Sequence, residues 1–220
     1  MREFKARREG IKFFLFFHFI ALAFFFFGND YRAMGLVPMA LAIFTIYFFR
    51  DPGREVDCSP GRVLSPADGK VTSIEDVTEE TYVHGSCKRV SIFLSVMNVH
   101  INRSPIAGKI EHIKHTPGKF MNAMSEKSGM DNENNAIGIN GDIKILVRQI
   151  AGLIARRIVC ACDVGTDLRA GEKFGMIRFG SRTDLFLPSD TEIHVSVGDK
   201  VKAGLTLIGV YENEKTDAQV

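Results

Sequence analysis

The sequence predicts a mainly β protein: a compact, barrel-sandwich-like β domain that carries an N-terminal hydrophobic helical hairpin. Three observations point there. Two long apolar runs fall within the first fifty of 220 residues, and many of the chain's eighteen Phe crowd into them. After Pro52 the texture changes to short β-branched runs punctuated by Gly, Pro and Asp, which is how strands and turns read. Beyond the hairpin no long amphipathic helical period is visible. Residues 1–50 are therefore expected as the hairpin and 51–220 as the β-rich body.

The apolar runs are "IKFFLFFHFIALAFFFFG" and "MGLVPMALAIFTIYFFR", parted by the polar "NDYRA". Each is near the lower limit of about 17 residues that cross a hydrocarbon core of roughly 30 Å. The runs are apolar all round, which argues against a buried hairpin with one polar face. A secretory leader would want a small-residue cleavage site, and "FFFFGNDYRAMG" followed by a second apolar run is a poor one. After Lys12 at its start, His18 is the one polar side chain in the first run and needs a partner or an interfacial place. Basic flanks, "MREFKARREG" before and "RDPGRE" after, put both ends on the cytoplasmic side. The expected location is thus the cell membrane, with the body facing the cytoplasm.

In the body, "RVLSPADGKVTSIEDV" reads as strand, turn, strand, with "PADG" as the turn. "KRVSIFLSV", "GKIEHIKHT", "NAIGINGDIKILVRQI", "LIARRIVCACDV" and "TEIHVSVGDKVKAGLTLIGVYEN" continue the pattern. Asn140-Gly141 favours a two-residue primed hairpin turn. In "KIEHIKH" strict alternation sets Ile110 and Ile113 on opposite faces, so period alone does not settle that register. "TPGKFMNAMSEKSGMDNENN" resists the strand reading. Loops of that length are functional or mobile in most compact domains, and this one is a candidate lid or an uninvolved excursion. Many short strands with turns suggest a barrel or sandwich.

Composition excludes several classes. A formal charge of +2 with no basic stripe gives no nucleic-acid signal. Four cysteines do not make a disulfide scaffold. Cys160 and Cys162 alternate so as to face the same way and read as free thiols. A zinc site from His84, Cys87, Cys160 and Cys162 lacks any standard spacing, so no metal is expected. "ADGKVTS" lacks the first glycine of a phosphate loop, and no dinucleotide fingerprint is present.

Three polar residues punctuate apolar strands: Asp68 in "SPADGKV", His100 in "SVMNVHINRSP" and Ser181 in "FGMIRFGSRTDLFLP". These are the types that activate a hydroxyl: the histidine takes the serine proton and the aspartate fixes the tautomer. Singly, Asp68 is an ordinary turn residue, His100 a strand-end histidine and Ser181 a turn partner of Gly180. Such a triple can be collected from most chains and is weak by itself.

Their contexts are stronger. "FFRDPGREV", "SPADGKV", "NVHINRSP" and "GMIRFGSR" occur in that order, and together they resemble phosphatidylserine decarboxylase in its short bacterial and archaeal form. The resemblance covers nearly the whole chain. It implies a pyruvoyl enzyme that cuts itself between Gly180 and Ser181, leaving a larger chain 1–180 paired with a smaller chain 181–220. Ser181 would attack the Gly180 carbonyl with His100 as base, oriented by Asp68. Elimination, hydration and loss of ammonia would then leave a covalent pyruvoyl group at 181 as cofactor. That group would form a Schiff base with phosphatidylserine in the membrane, release carbon dioxide and give phosphatidylethanolamine. Phe179 and Arg182 match the short form, whereas long forms carry Leu and Thr there. Met97 lies where long forms have a second histidine. Arg103 and Lys119 are candidate phosphate contacts, each equally readable as a solvated charge. A homo-oligomer is left open.

A rival reading rests on "SVGDKVKAGLTLIGV", which looks like a lipoyl- or biotinyl-like barrel-sandwich module. A membrane-anchored, non-catalytic adaptor or carrier would need a modifiable lysine at a hairpin tip in a Met-Lys-Met-like context. The sequence has none.

Overall fold

The computed structural model describes residues 6–119, 131–152, 157–178 and 180–211. The chain divides into two units, Lys5–Gly53 and the remainder from Arg54 onward. The first is helix α1 (Ala6–Phe27), a 3₁₀ segment (Asn29–Gly35) and helix α2 (Leu36–Phe48). Unbroken apolar sequence sustains both helices, and Pro38 falls in the first turn of α2, where its missing N–H is no loss. Phe16, Phe19, Phe26, Phe27, Ile43 and Ile46 stay exposed. By length and composition alone, both helical stretches suffice to cross a membrane. His18 stacks on Phe14, ring centroids 5.4 Å apart.

The second unit is all β among the described residues, apart from turns and one helical residue at Asp131. Its strands are β1 (Arg62–Leu64), β2 (Gly69–Glu79), β3 (Gly85–Leu94), β4 (Ile101–Arg103), β5 (Gly108–Thr116), β6 (Asn134–Asn140) and β7 (Lys144–Ala151). There follow β8 (Ile158–Cys160), β9 (Asp167–Leu168), β10 (Lys173–Ile177), β11 (Ser181–Pro188), β12 (Glu192–Ile193), β13 (Lys200–Val201) and β14 (Leu207–Val210). One curled sheet of eight strands runs β13-β2-β3-β11-β7-β6-β5-β9, with two three-stranded sheets, β1-β14-β12 and β4-β10-β8. The mainly β expectation with apolar N-terminal helices holds.

Burial explains the strand pattern. Val71, Val90, Ile92, Ile137, Val147, Leu185 and Leu187 alternate inward and form one core with Phe174. The ambiguous "KIEHIKH" resolves through a register shift between Ile110 and His112. An extra residue there lets both Ile110 and Ile113 pack against the core, which strict alternation forbids.

One expectation is corrected. Asn140 pairs with Lys144, so the β6–β7 connection has three residues, and neither Asn140 nor Gly141 has positive φ. The hairpin forms as expected, but its turn is not a primed two-residue one. The strand-turn-strand reading around "PADG" holds, with β1 and β2 on either side, and each strand pairs elsewhere: β1 joins β14, and β2 joins β3 and β13. Residues 120–130 of the long polar loop lie outside the described residues.

The stretch read as a separate barrel-sandwich module is not self-contained. β13 pairs with β2 and β14 with β1. β11, buried from Ser181 to Leu187, sits between β3 and β7 in the middle of the large sheet. β11, β13 and β14 are therefore each paired with strands that precede residue 180.

Candidate active site

Gly180 and Ser181 lie where β10 gives way to β11. Gly180 has φ +69°, a left-handed conformation natural to glycine alone. A side chain there would meet only ordinary contact, with Val96 Cγ1 at 4.0 Å, so the dihedral rather than space demands glycine. Ser181 is fully buried, paired with Leu94 on one side and Ala151 on the other. Its Oγ has no hydrogen-bond partner among the described residues. An orphaned buried hydroxyl is uncommon enough to need a reason.

His100 meets that turn. After β3 the chain folds over Ser95–Asn98, where Asn98 Oδ1 accepts from Ser95 N (2.9 Å) and Oγ (2.8 Å). His100 Nδ1 then lies 3.0 Å from the Asn98 carbonyl, which can only accept, so Nδ1 carries the proton. Nε2 is left as the acceptor, and the Gly180 N–H donates to it at 3.3 Å. The imidazole is 1% exposed, so one tautomer is held with its basic nitrogen at the Gly180-Ser181 turn.

Asp68 is elsewhere engaged. Arg54 grips it with two parallel bonds, Nη1–Oδ1 2.7 Å and Nη2–Oδ2 2.8 Å. The Ala203 N–H donates to Oδ1 at 2.8 Å, and Arg54 also donates to the Ala203 carbonyl. None of these bonds goes to His100. The expected Asp68–His100 contact is replaced by Asn98 on the histidine side and by Arg54 on the aspartate side. A buried guanidinium matches a carboxylate fork better than an imidazole edge does. Asp68 thereby ties the start of the β unit to residue 203.

Of the other candidates, Arg103 is buried and donates to the Gly171 carbonyl at 3.0 Å. Lys119 makes an isolated bridge with Asn132. The cysteines are free, and among the described residues no His/Cys/Asp/Glu group could hold a metal ion. Cys160 and Cys162 do face the same way, Sγ–Sγ 3.4 Å. Hydrogen bonding from Cys162 draws the Cys160 thiol down, and that same bond with burial pushes Cys162 up. A broad cavity lined by Val56 with residues 161–163 and 166–172 lies at Cys162, and none of Asp68, His100 and Ser181 lines it.

Sequence reasoning missed a row of buried amides beside the serine. Asn135 donates to Gln149 (3.1 Å), Gln149 to Asn102 (2.8 Å), and Asn102 to Thr183 Oγ1 (3.1 Å). Asn102 lay inside the quoted "NVHINRSP", two residues past His100. Gln149 and Asn135 gave no signal, because only strand register sets them opposite each other.

This is a β enzyme core whose buried serine follows a left-handed glycine, with a histidine held at the same turn. Comparison with known proteins agrees with that class. Residues 41–209 match the family model for phosphatidylserine decarboxylase. A phosphatidylserine decarboxylase proenzyme of Desulfotalea psychrophila is 45% identical over 204 residues, covering 92% of this chain and 94% of the relative. Those of Symbiobacterium thermophilum (48% over 179 residues, 80% and 83% covered) and Syntrophus aciditrophicus (43% over 207, 93% and 96%) are similar. The chain belongs to the phosphatidylserine decarboxylase family.

Proposed function

We propose that this chain is a proenzyme that cuts itself at Gly180-Ser181 and then decarboxylates phosphatidylserine to phosphatidylethanolamine. One observation carries the reading: in a family of decarboxylase proenzymes, the buried, unpartnered Ser181 hydroxyl follows Gly180 at φ +69° and His100 Nε2 lies at that glycine. Ser181 Oγ attacks the Gly180 carbonyl while His100 Nε2 takes its proton. The acyl group moves from nitrogen to oxygen, so a C–O bond replaces the C–N bond. Elimination breaks the Cβ–O bond and releases a chain ending at the Gly180 carboxylate. Water then enters and ammonia leaves.

The residues present fit a pyruvoyl group made from Ser181, since nothing else uses that hydroxyl. Such a group supplies a ketone that condenses with an amine and withdraws electrons as carbon dioxide departs. Asp68, through Arg54 and Ala203, holds the small fragment against the large one after the cut. The helical hairpin keeps the body at the cytoplasmic face of the membrane, where the diacyl substrate lies. The test is intact mass from purified membranes. Wild type should give two fragments meeting at 180/181 and Ser181→Ala a single chain; a single wild-type chain, folded and membrane-bound, contradicts the proposal.

A further inference from the structure

The amide row has a fixed polarity. Asn102 Nδ2 lies 3.2 Å from the Pro66 carbonyl, which can only accept, so the nitrogen must be on that side. Asn102 Oδ1 is then the acceptor for Gln149 Nε2, and Gln149 Oε1 the acceptor for Asn135 Nδ2. Every member is buried, and Gly175 passes close to the row: a Cβ there would clash with the Val159 carbonyl and stand 3.3 Å from Gln149 Nε2. Aligned hydrogen bonds of this kind polarise one another. The last member, Thr183 Oγ1, accepts from Asn102 at 3.1 Å, so its own proton is left to donate. That proton meets no acceptor among the described residues. Two buried side chains on one face of β11, Ser181 and Thr183, thus have hydrogen-bonding capacity that the protein leaves unmatched.

We propose that the Thr183 hydroxyl, set by Asn102 and Gln149, is the hydrogen-bond donor that selects the carboxylate of the amino-acid headgroup. The inference rests on the decarboxylase reading above. Alternate residues of a strand are about 6.6 Å apart. An α-amino acid has its carboxylate one carbon from its amine, so an amine reacting at 181 brings a carboxylate oxygen within reach of Thr183. The surroundings are neutral: the partners of 181 and 183 are Leu94, Ala151, Ile92 and Gln149. Arg182 points to the other face and is held by Asp184 at 2.6 and 2.8 Å. A carboxylate there finds one oriented donor and no neutralising arginine from β11. It is recognised without being strongly stabilised, which suits a group about to leave as neutral carbon dioxide. The product, lacking the carboxylate, loses the contact.

The test is reductive trapping of the self-cut protein with borohydride, using glycerophosphoserine or glycerophosphoethanolamine as the amine, with adducts read by mass rather than turnover. A hydrogen bond to a charged group corresponds to about ten- to hundredfold in affinity. Wild type should favour glycerophosphoserine by at least about tenfold. Thr183→Val should abolish that preference and Thr183→Ser should retain it, with the two fragments themselves reporting folding. Thr183→Ala reads the same ratio should the valine chain remain uncut. Equal trapping by wild type, or a preference that survives loss of the hydroxyl, overturns the proposal alone. No adduct with either amine overturns it together with the decarboxylase reading.

Discussion

The inner face of β11 has two unlike ends. Leu185 and Leu187 close the main core, fully buried among other aliphatics. Two to six residues earlier on the same face, Ser181 and Thr183 are just as buried, yet among the described residues one hydroxyl has no partner and the other ends an amide row. Burying hydroxyls and amides costs stability unless each is matched, so a fold selected for stability alone would make both ends alike. One strand thus spends one end on cohesion and leaves the other chemically available. The sheet makes this tolerable by flanking β11 with β3 along its whole length and with β7 from Ser181 to Phe186.

The largest expected stability effect tests whether the polar end also needs a clamp. Arg54→Ala leaves Asp68 a buried charge held by one backbone N–H, and breaking such a pair costs about 3–5 kcal/mol. A lowered denaturation midpoint would place Asp68 in the clamp. A variant Asp68→Asn that keeps its stability but stops self-cutting would return the aspartate to a role in orienting His100.

Next, Leu185→Ala should cost about 2–5 kcal/mol by opening a cavity in the core, yet leave self-cutting of the folded fraction intact. Denaturant titration beside fragment yield checks both halves. A processing defect equal to the stability loss would erase the distinction between the ends.

A smaller effect sharpens the comparison away from β11. Glu79 is buried at the end of β2, where burial raises its carboxyl but the N–H groups of Tyr82, Val83 and Thr81, each 2.8 Å away, outweigh it and hold the value below 4.5. A lowered folded value gives stability that is complete above the ordinary glutamate range and lost as pH falls through the lowered one. Glu79→Gln should therefore flatten the acid limb of a stability profile taken between neutral pH and pH 3, with a loss of about 1–3 kcal/mol at neutral pH. An unchanged acid limb would show that these turn bonds contribute nothing.

How much was legible beforehand follows the same division. Helix and strand positions came through because apolar periodicity reports burial directly, down to the "NDYRA" break between the helices. The β6–β7 turn misled because Asn-Gly is a local preference, and register with Lys144 overrode it. His100 and Ser181 were visible as polar breaks in apolar strands. Asp68's partners were not, since Arg54 and Ala203 are separated from it by 14 and 135 residues and no pattern links them. The amide row was invisible for a related reason. Asn135, Gln149, Asn102 and Thr183 come from four strands of two sheets and become neighbours only through tertiary packing.

The central claim is that Ser181 becomes the reactive group. The most direct measurement is the mass of the smaller fragment, beside its labelling by a carbonyl-reactive hydrazide. Wild type should give a fragment beginning at 181, lighter by one ammonia than a serine-initiated chain and labelled once, and Ser181→Ala should give none. A fragment beginning with intact serine, or an uncut wild-type chain that is nonetheless an active decarboxylase, would contradict it.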